Sequence, residues 1–142
     1  MLGTPHRLLG LVALVGACAK TPEPPPPPAP SVAITAPEKG GTTGPRVVVR
    51  LTATGVRVVP ASGARVPGEG HHHLFLDADP GPPESVIGKG GGIFHLGSGV
   101  DSLVLDSLAA GPHRLISVFA GGDHVPMVEV RADTVQFEVK RP

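Results

Sequence analysis

"RVVVRLTAT", residues 46–54, alternates along its length: apolar Val47, Val49, Leu51 and Ala53 fall on one side, and Arg46, Arg50, Thr52 and Thr54 on the other, with Val48 the one apolar residue among them. Successive side chains of an extended chain point to opposite faces, so this pattern fits a half-buried strand and not a helix, whose apolar positions recur every three or four residues. Period two returns in "SVAIT" (31–35), "HLFLDA" (73–78), "VDSLVLDSL" (100–108), "HRLISVFA" (113–120) and "DTVQFEVK" (133–140), with "GIFHL" (92–96) as a further short strand. Most of the runs carry β-branched residues, and Gly, Pro or Asp, which punctuate strands, lie at their ends. With 20 Gly and 18 Pro in 142 residues, no segment reads as a convincing helix.

About seven short strands separated by turn signals predict an all-β fold, an immunoglobulin- or fibronectin-like antiparallel β-sandwich, with a small barrel as the alternative. "LAAGPH" (108–113) supports the sandwich. It sets Leu108, Gly111 and His113 where such folds often carry a Leu-x-x-Gly-x-Tyr corner leading into the sixth strand. His113 then takes the place of the tyrosine, bonds to upstream backbone, and is structural.

The first thirty residues read differently. Arg7 precedes an apolar run, "LLGLVALVGA" (8–17), about half the roughly 20 residues a membrane span needs, so 1–17 reads as a signal peptide. "LVGAC" (14–18) resembles the lipobox of bacterial lipoproteins, which implies cleavage before Cys18 and lipidation of its thiol. Cys18 is the sole cysteine and has no disulfide partner in the chain. Ala19, rather than Asp, after that cysteine resembles the sorting pattern for the outer membrane, implying a cell-envelope lipoprotein facing the periplasm. "TPEPPPPPAP" (21–30) completes a linker over 18–30; proline fixes φ, so the run predicts an extended spacer of roughly 30 Å. The membrane, through Cys18, is the one partner the sequence names. Residues 31–142 form the folded domain.

Composition narrows the function. Twelve Lys and Arg balance twelve Asp and Glu, leaving no field to gather nucleic acid. There is no Trp or Tyr, which removes the usual stacking platforms for single strands and sugars. "GKGGG" (88–92) lacks the spacing and the Ser or Thr of a phosphate loop, and Ser98 in "GSG" is not a nucleophile elbow. Asp77 and Asp79 read as a solvated strand end, so no catalytic residue is expected.

What remains is histidine. "GEGHHHLFLD" (68–77) holds three of the chain's seven. If 71–78 is the third strand and 113–120 its neighbour, the start of the former and the end of the latter lie together. That topology gathers His71, His72, His73 and His124, and brings His95 close through the "GSG" turn. His113, at the other end of its strand, should stand about 20 Å away. His71 and His73, two apart, share a face and can reach one ion, and His124 or His95 would complete a nitrogen site suited to zinc or copper(II). Met127 would add a thioether for copper(I). Asp123 and His72 are expected behind the ligands, Asp123 orienting an imidazole and His72 on the opposite face. The alternative is an envelope interaction module without metal, its histidines structural and its protein partner unknown.

Taken together, "GVRVVPASG" (55–63), "GEGHHHLFLD", "FHLGSG" (94–99), "AGPHRLISVFAGGDHVPM" (110–127) and "TVQFEV" (134–139) resemble, in order and near spacing, a bacterial exported family known as domain of unknown function 4399. Its shared features are a Gly-His-His-His stretch, a later His-Phe-Gly, a Gly-x-His-Thr-Leu segment and an Asp-His followed by Val-Pro-His. This chain departs from it at Leu96, where the family has Phe, in "SGVDS", and at Met127, where His is common. The resemblance implies an exported location and marks the histidine positions; it implies no reaction.

Overall fold

The computed structural model describes Met1, Gly3 and residues 23–141. Cys18, and the predicted signal peptide apart from Met1 and Gly3, lie outside the described residues. Nine strands form in order: β1 (Ser31–Ala36), β2 (Thr42–Thr43), β3 (Val47–Thr54), β4 (Arg57–Val58), β5 (Glu69–Leu76), β6 (Ile93–His95), β7 (Ser102–Leu105), β8 (Gly111–Ala120) and β9 (Asp133–Val139). No helix occurs among the described residues.

The strands make two sheets, β1-β3-β7 and β2-β9-β8-β5-β4, with β6 also paired to β5. The result is the all-β sandwich the periodicity predicts. Two pairings depart from a purely antiparallel arrangement: β2 runs parallel to β9, and β4 parallel to β5. Both involve two-residue strands, too short for any period to register in the sequence.

Between the sheets, β3 alternates as its sequence says, burying Val47, Val49 and Leu51. They meet Leu74 of β5, Leu115 of β8, and Val135, Phe137 and Val139 of β9. Each such side chain contributes roughly 1.5–3 kcal/mol by leaving water.

β5 breaks the alternation, and that break positions the histidines. Six consecutive residues, Gly70 to Phe75, are buried. Its inward face carries Leu74 and, paired to Phe119 of β8, His72. The outward face carries His71, His73 and Phe75, paired to Ala120, Val118 and Ile116. An antiparallel sheet face normally meets solvent there. Here the irregular segment after β5 folds back, and Ile87 packs on Phe75, Val118 and Ala120. A second apolar cluster thus covers the outward face, and the histidines of β5 are buried on both sides.

Candidate metal centre

Register alone brings the first three rings together. His71 and His73 sit two apart on the outward face of β5, and β6 pairs His95 directly opposite His73. Directly opposed residues have Cβ atoms about 4.5–5.5 Å apart and share a face. His124 arrives from the turn after β8, where its backbone is left-handed, φ 63°. Histidine tolerates that region better than most residues, yet a non-glycine held there carries strain that surrounding contacts must impose. Those contacts are the His124 N–H donating to Gly121 and the Ile87 N–H donating to the His124 carbonyl, each at 2.9 Å.

The rings touch. Nε2 of His71 lies 3.0 Å from Nε2 of His73, and Nε2 of His124 lies 3.1 Å from Nε2 of His95. One ring nitrogen from each of His71, His73 and His95 lies within 4.8 Å of the other two. Every pair among the four has ring centroids between 4.7 and 5.8 Å apart. Four nitrogens at 2.0–2.1 Å around a tetrahedral ion stand about 3.3 Å from each other. Within each close pair the nitrogens need to part by only a few tenths of an ångström to reach that spacing. The two pairs must also draw together, since the nitrogens of His71, His73 and His95 are held within 4.8 Å of one another and His124 joins them through His95.

Burial and mutual repulsion favour the neutral form of His71, His73 and His95, which ligation requires. Burial pushes His73 down to about 3, helped by repulsion from His71, His95, His124 and His72. Burial likewise lowers His71 to about 4, with His95, His124 and His72 adding and Asp123 opposing. His95 is also lowered, by partial burial, His124 and Lys89. Nδ1 of His71 and of His73 is buried without a hydrogen-bond partner. Their orientation thus rests on packing, not on the acceptor that commonly fixes a ligating imidazole.

The family model for "Domain of unknown function (DUF4399)" matches residues 49–140, a span that holds β5, β6, β8 and all four rings. The chain belongs to this family. No curated protein matches it. Among solved structures it is similar to the endo-beta-1,4-mannanase from Thermotoga petrophila, at 14% identity and a TM-score of 0.47, over 80% of this chain and 20% of that one.

In this DUF4399 domain the sequence-predicted ligands His71, His73, His95 and His124 meet, while three other expected participants do not join them. Met127 is 3% exposed and packs with Phe119, Val32 and Val130. Its N–H donates to the Phe119 carbonyl, and Phe119 shares the inward face with His72, so the thioether is a core group on the other side of the sheet. Asp123 orients no imidazole; its Oδ1 accepts the Val125 N–H at 3.2 Å and its Oδ2 faces Arg65 at 3.6 Å, so it shapes its own turn. His72 lies edge-on to Phe119 with both nitrogens unpaired and supports no ligand by hydrogen bond.

One support was not anticipated. The loop before β5 clamps the His124 turn: Gly63 N–H donates to the Gly122 carbonyl at 2.9 Å, and Arg65 reaches the carbonyls of Val125 and Pro126 at 3.5 and 3.4 Å. These contacts go to backbone oxygens, which every residue carries, so no motif in 55–66 could announce them.

His113 stands at the opposite end of β8 from Ala120, as the topology requires. Its Nε2 meets the Ala109 carbonyl at 2.9 Å and its Nδ1 the Asp77 carboxylate at 2.6 Å. A carbonyl and a carboxylate both accept, so the contacts favour the protonated ring, in which both nitrogens donate. Burial opposes that charge, but the Ala109 and Asp77 bonds outweigh it and raise the pKa. His113→Phe keeps the stacking on Phe137 but removes both bonds. It should cost about 1–2 kcal/mol in urea unfolding, the lower part of the range for charged hydrogen bonds because Asp77 is half exposed. Metal affinity should not change; a parallel loss of metal would contradict this separation of the two ends.

Proposed function

We propose that this domain binds one divalent transition-metal ion, zinc or copper(II), through His71, His73, His95 and His124, and holds it as cargo for sequestration or delivery. The observation that carries the reading is the convergence of four imidazoles, from two strands and a strained turn, with Nε2 pairs at 3.0 and 3.1 Å. Four nitrogen donors fill a tetrahedral shell and leave no position for an activated water, which argues for storage over hydrolysis. With Met127 in the core, no sulfur among the described residues stands beside the rings, and an all-nitrogen set suits zinc and copper(II) better than soft copper(I). His71 and His73 are buried while His95 is exposed, so an ion there keeps one side open to exchange.

Titrating the untagged chain with zinc and copper(II) should give one ion per chain. Absence of binding tighter than a buffer ligand leaves the interaction-module reading.

The same proposal places the domain in the cell envelope, on the sequence of "LVGAC" and the proline run behind it. Cys18→Ser should move the protein from the membrane fraction to the soluble fraction or stall its maturation. Unchanged membrane association, measured by fractionation, removes the anchor from the proposal.

A further inference from the structure

Resting on the metal-site reading, we infer that Gly97 is a positioning residue for that site: the absence of a side chain there is the space in which the His95 imidazole turns towards His71, His73 and His124. A Cβ on Gly97 would overlap Cε1 and Nε2 of His95 and come within 2.9 Å of Nδ1. No arrangement holds both that atom and the ring in its present place.

Three observations separate this from an ordinary turn glycine. Gly97 is absent from the glycines with positive φ, so alanine fits its backbone without strain. Its backbone cannot back away freely, because the Gly97 carbonyl accepts the Ala61 N–H at 2.8 Å and the Leu96 N–H donates to the His72 carbonyl at 3.0 Å. His95 is exposed, so its ring has solvent to swing into. The ring yields, not the fold, and the nitrogen that meets His124 at 3.1 Å leaves the cluster. A three-imidazole set remains, with an open fourth position in place of a closed shell.

The effect of Gly97→Ala is therefore specific. Zinc affinity should fall at least tenfold, as far as it falls for His95→Ala, and the double variant should be no weaker than His95→Ala alone, because both changes remove the same ligand. Unfolding of the metal-free chain should stay within the range of Gly88→Ala, a control glycine whose added Cβ meets nothing within 4 Å. X-ray absorption of the zinc-loaded full chain should count four imidazoles in the native protein and three in Gly97→Ala. Proton NMR of the metal-free chain should show contacts between the His95 and His124 rings that the variant lacks.

Native-like zinc affinity in Gly97→Ala overturns the inference. So does a loss of affinity that the double variant deepens, which would place Gly97 elsewhere in the binding energy. If the native chain binds no zinc, the metal reading fails; the ring contacts in NMR then decide the placement of His95 by themselves, and their persistence in Gly97→Ala refutes it.

Discussion

Replacing His71 and His73 together with alanine is expected to reduce zinc and copper(II) affinity by at least about a thousandfold. Structural zinc sites with four ligands are worth about 10–16 kcal/mol, or roughly 2.5–4 kcal/mol per ligand, and tenfold in affinity is about 1.4 kcal/mol. Two lost ligands then cost about 5–8 kcal/mol. These two are the rigid half of the site: both are fully buried on β5, whose neighbours Leu74 and Phe75 anchor it in the two apolar clusters. The fold should survive, because the deleted rings bond only to each other and leave behind no partner lacking a hydrogen bond. Circular dichroism of the variant should match the native chain while calorimetric titration goes flat. Retained tight binding would show that the ion, if any, sits on His95 and His124 or elsewhere.

Much of this site was legible before any coordinates, and the reason is parity. Residues two apart on a strand share a face, and antiparallel neighbours bring the start of one strand beside the end of the other. From "HHHLF" and "HRLISVFA" those rules alone gather His71, His73 and His124 and send His113 to the far end. His95 followed because "GIFHL" returns along the edge of β5, and the register sets it opposite His73.

The failures also have one physical source. Met127 lies three residues beyond His124, close in sequence to a ligand, but the chain between them turns: Pro126 bridges to Ala120 and Met127 bonds to Phe119. That turn moves the thioether through the plane of the sheet, and its geometry is set by tertiary bonds that the sequence does not spell. Asp123 failed for a related reason, since an aspartate in a turn satisfies the local N–H of Val125 before it reaches a distant ring. Burial of β5 on both faces was hidden as well. It depends on Ile87 in a segment with no period of its own.

Without metal, the domain should lose stability steeply in mild acid. A histidine whose folded pKa lies below its unfolded value takes up a proton on unfolding, so its contribution is complete above about pH 6.5 and is lost as pH falls towards the folded pKa. His71 and His73 fall in this class, with folded values of about 4 and about 3, and His72 is lowered too, by burial in the core. Each such group costs up to about 1.4 kcal/mol per pH unit within its window, so His71 and His73 together should remove about 2–3 kcal/mol between pH 6 and pH 5. That is a large part of the 5–15 kcal/mol typical of a domain. His113 has the opposite sign: its raised pKa makes its contribution full below about 6.5 and lost as pH climbs through the folded value. The two effects bracket a maximum near neutrality. Urea unfolding of the metal-free chain across pH 4.5–8 should show the acid limb, and the limb should shallow in His71→Ala/His73→Ala, which removes two of the protons taken up. A native chain whose stability is level from pH 7 to pH 5 would mean that His71 and His73 are not held neutral and buried, and the case for them as ready ligands would lose its electrostatic basis.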